Sequence, residues 1–321
     1  KEIMNHATTQ KYLQSLGFEV SSNSFSENSK KTVIVGMSGG VDSSVCAILM
    51  KLLGYNTIGM FMKNWEEKND DGVCLAEDEY QDVIRVCEQI DIPYYSVNFS
   101  HEYEQNVFKH FLAEYKKGNT PNPDILCNKE IKFKVFYNKA MEFGADFLVT
   151  GHYCQKQEVN SQTLLAKGKD RGKDQTYFLY TMQEDVLENV LFPIGHLEKP
   201  EVRKIARDFN LATKSKKDST GICFIGERNF KNFLSQYIKS QQGSFVHLDS
   251  GRVLGSHDGS CYYTNGQRKG LGLGGPGGPW FVSHKDQAQN IVYVVEGEMH
   301  PALYADNLFA NEIHRSEERR V

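Results

Sequence analysis

Residues 33–46 read VIVGMSGGVDSSVC. Three β-branched residues bounded by a glycine read as a buried strand. In SSVCAILMKLL, which starts at Ser43, the apolar residues fall at helical spacing, and Gly54 supplies a C-cap. The turn between strand and helix is built of small residues. A strand, a glycine turn and a helix N-terminus form a cradle for an anion, because several backbone N–H groups point to one place. An ordinary glycine turn would account for the glycines alone, but not for the serines and aspartate in the same loop.

Working outward, TIGMFMKNW reads as a strand, EYQDVIRVCEQIDI as an amphipathic helix and PYYSVNFS as a strand. EQNVFKHFLAEYKKGN and IKFKVFYNKAMEFGA read as helices, and ADFLVTGHY as a strand ending in a glycine turn. Strands alternating with helices over residues 31–155 predict an α/β fold with a doubly wound, Rossmann-like parallel sheet, whose ligands lie at the carboxyl ends of the strands. Residues 185–212 read as helical. Beyond residue 226, short strands (SFVHLD, RVLG, CYYT, WFVS, NIVYVV) between Gly, Pro, Asp and Ser turns predict small β-rich domains, the last a partial β-barrel. The expected divisions are a polar extension over 1–31, a catalytic domain over 32–225, a small α+β domain over 226–297 and a partial barrel over 298–321.

The chain of 321 residues carries a net charge of -4, which argues against a uniformly basic nucleic-acid binder. Its charge is uneven, acid-rich over residues 66–104 and rich in lysine and arginine over 167–217. The basic stretch reads as a solvated face or as a local phosphate footprint. The cysteine count is odd at seven and includes no C-x-x-C pair, so a reducing, cytoplasmic setting is expected and a structural zinc site is not. No apolar run approaches the ~18 residues of a membrane helix, and residues 1–31 lack the apolar core of a signal peptide.

The loop is not a Walker A sequence, since no lysine follows its glycines. It resembles the S-G-G-x-D-S pyrophosphate loop of enzymes that cleave ATP to AMP and pyrophosphate and so activate a carbonyl-type oxygen as an adenylate. Two cysteines stand in turn-like settings. Cys127 follows P-N-P-D, read as a rigid turn outside regular structure, with Asp124 three residues earlier as a candidate base. Cys223 lies in D-S-T-G-I-C, after Lys214, Lys216 and Lys217, whose charges favour a thiolate. A buried, inert thiol is the competing reading of each. Gly270-Leu-Gly272-Leu-Gly274-Gly275 satisfies G-x-G-x-x-G but follows no buried strand, so a dinucleotide site is not expected. Tyr262, Tyr263, Trp280 and Phe281 read as core of the β-rich region rather than as a base-stacking platform.

The segments GMSGGVDSSV, GMFMKNWEE, GNTPNPDILCNKEIKF, LVTGHY, GKDQTYFL, KDSTGICFIGERNFKNFL and HDGSCYYTNGQRKGLGLGG closely resemble the tRNA-specific 2-thiouridylases of bacteria and organelles, over residues 32–297. The resemblance implies an ATP-dependent tRNA-uridine 2-sulfurtransferase acting on wobble uridine 34 of lysine, glutamate and glutamine tRNAs. It implies Cys127 as nucleophile, Cys223 as persulfide carrier and Asp124 as the proton-handling group. It places ATP, with Mg²⁺, at Gly36, Met37, Ser38, Gly39, Gly40, Val41, Asp42, Ser43, Met62 and Gly151. Asp42 would orient the loop or help to hold the magnesium. Asn122, Pro123 and Asp124 would meet the target base, and Lys173, Asp174 and Gln175 the tRNA. His152 is either a site histidine or a structural one. The implied partners are tRNA and a sulfur-relay protein or cysteine desulfurase, with no membrane. Sulfur would leave Cys223 by direct attack of the persulfide or as sulfide released by Cys127, and a Cys127–Cys223 disulfide would remain. Asn265 stands where the family has an apolar residue, and no R-Y-R-Q-like tRNA-contact strand occurs. The readings set against thiolation are an adenylating ligase that uses ammonia and a tRNA-binding module without chemistry.

Overall fold

Burial on both faces dictates the VIV run: Val33, Ile34 and Val35 have no exposed surface at the centre of β1 (Thr32–Met37). The computed structural model describes residues 5–65, 75–218, 230–239, 241–274, 277–310 and 313. Around β1 stand β2 (Asn56–Lys63), β3 (Tyr94–Asn98), β4 (Phe147–Val149) and the two-residue β7 (Val190–Leu191), all parallel, in the order β3-β2-β1-β4-β7. The helix Val41–Leu52 leaves β1 through the glycine turn and buries Val45, Ile48 and Leu49 completely. Because the strands are parallel, β1, β2 and β4 end on one edge, as the doubly wound reading requires.

Two local readings differ from the structure, and one element was not anticipated. VLENVLF is half helix (Glu184–Glu188) and half strand β7. The strand is only two residues long, too short to leave a period in the sequence. CYYT is a 3₁₀ turn, Ser260–Tyr262, entered through Gly259 and held by Ser260 N–H donating to Asn290 Oδ1 at 2.9 Å. An antiparallel hairpin, β5 (Cys154–Val159) and β6 (Gln162–Lys167), turns at Asn160 and Ser161, both with positive φ. The small polar pair suits a primed hairpin turn.

Residues 5–31 are more than a polar extension. They form helices His6–Ser15 and Ser22–Asn28, the first capped by Asn5 and the second by a Ser21–Ser24 capping box. Leu13 is fully buried in the core of the first unit, and Tyr12 donates to Asp208 Oδ2 at 3.1 Å. Few apolar side chains make these contacts, so the sequence shows little periodicity.

The chain divides into two compact units, one of residues 1–106, 124–226 and 314–321, the other of 107–123 and 227–313. Residues 107–123 fall inside the expected 32–225 span yet pack with the second unit. Phe108 meets Tyr237 edge-on at 4.8 Å, and Lys285 Nζ reaches Gly118 O at 2.6 Å and Tyr263 O at 2.7 Å. The second unit's sheet runs β10-β11-β8-β9. Its strands are β8 (Gly243–His247), β9 (Val253–His257), β10 (Trp280–Asp286) and β11 (Ile291–Glu296). Phe245, Tyr263, Leu271, Val282, Val292 and Val294 form its core, with Tyr262 and Trp280 packed against them. Among the described residues of 298–321 there is a 3₁₀ turn, Pro301–Leu303, and no strand. No described helix is long and apolar enough to cross a membrane.

Candidate active site

The glycine turn holds its shape by internal hydrogen bonds that leave the mouth of the helix clear. Ser38 N–H donates to Ser43 Oγ at 3.2 Å, and the hydroxyls of Ser43 and Ser44 donate to Gly40 O at 3.2 and 2.7 Å. Thr213, from far along the chain, donates to Ser44 Oγ at 2.9 Å. Gly40 is the N-cap of Val41–Leu52, and no side chain caps the helix. Its first-turn N–H groups, with the positive end of the helix dipole, suit an anion of the size of a phosphate chain. Gly39 has φ +71, and a Cβ there would lie 2.6 Å from Glu79 O.

Asp42 is fixed from two sides. Tyr153 Oη donates to its Oδ1 at 2.9 Å, and Lys199 Nζ spans both carboxylate oxygens at 2.7 and 2.8 Å. Burial, then the neighbouring Asp42, raises the Tyr153 pKa far above its ordinary value, so the phenol stays a donor. These contacts are in keeping with the first role expected for Asp42, orienting the loop. Among the described residues no three His, Cys, Asp or Glu side chains gather to hold a metal. With Asp42 paired to Lys199 as it stands here, any magnesium would be held chiefly by the nucleotide's phosphates. Lys199 also pairs with Asp218 Oδ1 at 2.9 Å, and Asp218 is shared with Arg203 at 2.5 Å and Lys173 at 2.8 Å. Burial opposes ionisation of Asp218, but Lys173 and Lys199 outweigh it and hold the carboxyl well below its usual range.

Of the first unit's motifs, LVTGHY and GKDQTYFL reach this loop, through Gly151, Tyr153 and Gln175. A Cβ on Gly36 would lie 3.1 Å from Phe136, and one on Gly151 would lie 3.2 Å from Ser43 N, so both glycines allow close approach. Met37 and Met62 are buried near the ends of β1 and β2. Gln175 Oε1 accepts from Tyr153 N–H at 3.0 Å, and Asp174 takes Gly168 N–H at 2.9 Å and the Thr176 hydroxyl at 2.7 Å. Lys173 is exposed. Asn128 Nδ2 donates to Phe178 O at 3.5 Å. The 172–179 segment thus joins the loop, through Tyr153, to the residue beside Cys127.

Cys127 does not lie in a turn. Pro123–Leu126 is a helical turn that runs without a break into a π-helical stretch, Cys127–Phe136. Pro123 stands at the first helical position, where its missing N–H costs nothing and its φ suits the helix; the sequence reading took the same proline as a sign of irregular chain. Asp124 and Cys127, three apart, share one helix face. Asn122 is exposed, Asp124 half-buried, and Cys127 has no exposed surface. Cys223 lies outside the described residues.

Burial pushes up the thiols of Cys46, Cys154 and Cys261, and that of Cys87 to about 12. These four are therefore protonated and poorly nucleophilic. Iodoacetamide in native buffer should leave Cys46, Cys87 and Cys154 unmodified for hours and label them within minutes in guanidinium. Rapid native labelling, read by peptide mass spectrometry, would contradict the packing of the first unit.

The surroundings of His152 favour the structural of its two readings. It is buried with Nδ1 2.9 Å from the Thr150 hydroxyl, and its ring lies 5.7 Å from Phe133 and 6.4 Å from Phe192. Burial, with Lys132 nearby, lowers its pKa well below 6.5; burial also lowers those of His196 and His257. Rings kept neutral in the fold add stability above the unfolded pKa of about 6.5 and lose it as pH falls, because the unfolded chain takes up the protons. The urea midpoint should therefore drop between pH 7.5 and 5.5. A flat profile would mean that the rings protonate in place.

Sequence reasoning missed Lys199, Tyr153, Asp218 and Asn64. Asn64 is 1 % exposed at the end of β2, and both polar atoms of its side chain lack a hydrogen bond. KNW in the strand reading gave no sign of burial; Lys199 and Asp218 drew no notice because their partners are distant in the chain.

Comparison with known proteins adds an independent line. Residues 31–227 match the tRNA methyl transferase HUP domain, and residues 231–296 match the tRNA methyl transferase PRC-barrel domain. The chain is 60% identical over 285 residues to the tRNA-specific 2-thiouridylase MnmA of Protochlamydia amoebophila, covering 88% of this chain and 76% of that one. The chain belongs to the tRNA-specific 2-thiouridylase family. The Bacillus subtilis 2-thiouridylase MnmA is 57% identical over 281 residues, again covering 88% of this chain and 76% of the relative. Among solved structures, the U34-tRNA thiolase NcsA of Methanococcus maripaludis matches at a TM-score of 0.41 and 19% identity, over 72% of this chain and 70% of that chain. The 2-thiouridylase likeness spans both units, so the pyrophosphate-type loop and the β-rich unit belong to one family architecture.

Proposed function

We infer that this chain is a tRNA-uridine 2-sulfurtransferase, which activates O2 of a tRNA uridine with ATP and replaces that oxygen by sulfur, releasing AMP and pyrophosphate. The observation that carries this reading is the uncapped helix behind SGGVDSS, at the carboxyl edge of a parallel sheet, in a chain 60% identical to a 2-thiouridylase. The matched domain descriptions name a methyl transferase, the relatives a thiouridylase. Methyl transfer needs no pyrophosphate cradle, whereas adenylation does, so the loop supports adenylation and the likeness to 2-thiouridylases supports sulfur as the incoming group.

Uridine O2 is a poor leaving group. Its attack on the α-phosphorus of ATP forms an O2–P bond and breaks the bond to pyrophosphate, which the loop N–H groups receive. Residues 36–43, with Met62 and Gly151, would hold the nucleotide, and any magnesium would arrive on its phosphates. The base leaves its stack to reach the site, where Asn122, Pro123 and Asp124 would meet it, while Lys173, Asp174 and Gln175 would contact the tRNA. A persulfide on Cys223, loaded by a cysteine desulfurase or relay protein, supplies the sulfur. In one order its terminal sulfur attacks C2 and expels AMP, then Cys127 attacks the inner sulfur and frees the 2-thiouridine. In the other, Cys127 attacks first and releases sulfide, which attacks C2. Both orders leave a Cys127–Cys223 disulfide, which two electrons from a cytoplasmic thiol reductant reopen; Asp124 moves a proton in either. The β-rich region over 226–297 would help to hold the wobble arm of lysine, glutamate or glutamine tRNA.

The test is transfer of ³⁵S from a loaded cysteine desulfurase into tRNA. Label should enter the wobble uridine only with ATP present, with one AMP formed per sulfur. ATP cleavage that adenylates a small amine acceptor, with no label in tRNA, would replace this reading by the ligase one.

A further inference from the structure

The loop has no lysine of its own, yet a lysine stands against it. Lys199 is the first residue of the helix Lys199–Asp208, whose start is fixed by the Glu198–Glu201 capping box and by Lys199 N–H donating to Asp170 Oδ2 at 3.0 Å. Its side chain is 11% exposed and its Nζ lies on both oxygens of Asp42. We propose that Lys199 is the phosphate-contacting lysine that SGGVDSS lacks: when nucleotide binds, its Nζ turns from Asp42 to an oxygen of the departing pyrophosphate while staying beside Asp218. The proposal deepens the adenylation reading and rests on it.

Three features carry it. Lys199 joins the loop carboxylate Asp42 to Asp218, so its Nζ already stands beside the anion cradle. Neither carboxylate is stranded if Lys199 turns, because Tyr153 still donates to Asp42 and both Lys173 and Arg203 still pair with Asp218. A nearly buried ammonium is costly without an anion beside it, and exchanging a carboxylate for a phosphate keeps one there throughout. Lys216 also touches the loop, but on its carbonyl side, at Gly39 O (3.0 Å), and is paired with Asp82 at 2.7 Å.

Calorimetric titration of the full chain with inorganic pyrophosphate tests this. Lys199→Met should weaken pyrophosphate about tenfold or more, Lys199→Arg should recover to within about threefold, and tRNA affinity should not change. Equal pyrophosphate binding by Lys199→Met, or the loss appearing in Lys216→Met instead, overturns the proposal. Should Lys199→Met not fold, a crystal of the wild-type chain with pyrophosphate decides. Nζ within hydrogen-bond distance of a phosphate oxygen supports the proposal, and Nζ still on both Asp42 oxygens overturns it. Failure of the wild-type chain to form AMP and pyrophosphate with tRNA would sink the adenylation reading itself, a result separate from either outcome at Lys199.

Discussion

Cys127→Ser is expected to abolish sulfur transfer into tRNA, by at least about a thousandfold, while ATP is still split to AMP and pyrophosphate. Serine has nearly the volume of cysteine, so a side chain with no exposed surface can be exchanged without opening a cavity. What is lost is the thiolate, which alone can attack a persulfide sulfur at neutral pH. Adenylation uses the loop and should continue, the activated base being hydrolysed instead of thiolated. Single-turnover ³⁵S transfer and release of labelled AMP, followed on the same samples, separate the two steps. Thiolation near the wild-type rate would remove Cys127 from the chemistry; loss of both steps with an unchanged melting temperature would tie it to nucleotide activation instead.

Gly39→Ala should cost ATP-dependent pyrophosphate release a hundredfold or more. Two penalties coincide there: φ is +71, and the new Cβ would lie 2.6 Å from the backbone oxygen of Glu79. The first is worth about 1–2 kcal/mol for an L-residue. The second cannot be relieved by a rotamer change, because the obstacle is main chain, so the turn must move and its N–H groups with it. Gly144→Ala is the control. Its φ is +81 but nothing lies within 4 Å of the new Cβ, so it pays the conformational penalty alone and should leave ATP cleavage intact. If the two variants behave alike, left-handed strain and not the shape of the loop explains the effect.

The difference between what the sequence disclosed and what it hid follows from distance along the chain. SGGVDSS is a local signal: strand, small-residue turn and helix lie within a dozen residues, and each choice agrees with its neighbours. The parallel sheet was legible for the same reason, through alternating apolar runs. The Asp42–Lys199 pair joins residues 157 apart, and nothing local at either position announces the other. The helix through Cys127 was hidden differently, because a proline that begins a helix is the same letter as one that breaks a turn. In the N-terminal helices a few apolar side chains, Leu13 foremost, do the packing, and a polar composition conceals them.

The stretch Cys127–Phe136 has hydrogen bonds of the π type, with Phe133 off helical angles at φ -100 and ψ 15. Each turn of such a helix holds about one residue more than an α-turn. Removing a single residue from a helix normally rotates everything beyond it by about 100° and ruins the packing. Here the same deletion would let the strand of hydrogen bonds close up into ordinary α-helix, more regular than before. Residues within the stretch would then slip by one position while the helix on either side keeps its bearing, so the thiol would stand beside different side chains. A length variant of this segment could therefore fold as well as its parent and still be inactive, which makes the count of residues between Cys127 and Phe136 as consequential as their identity.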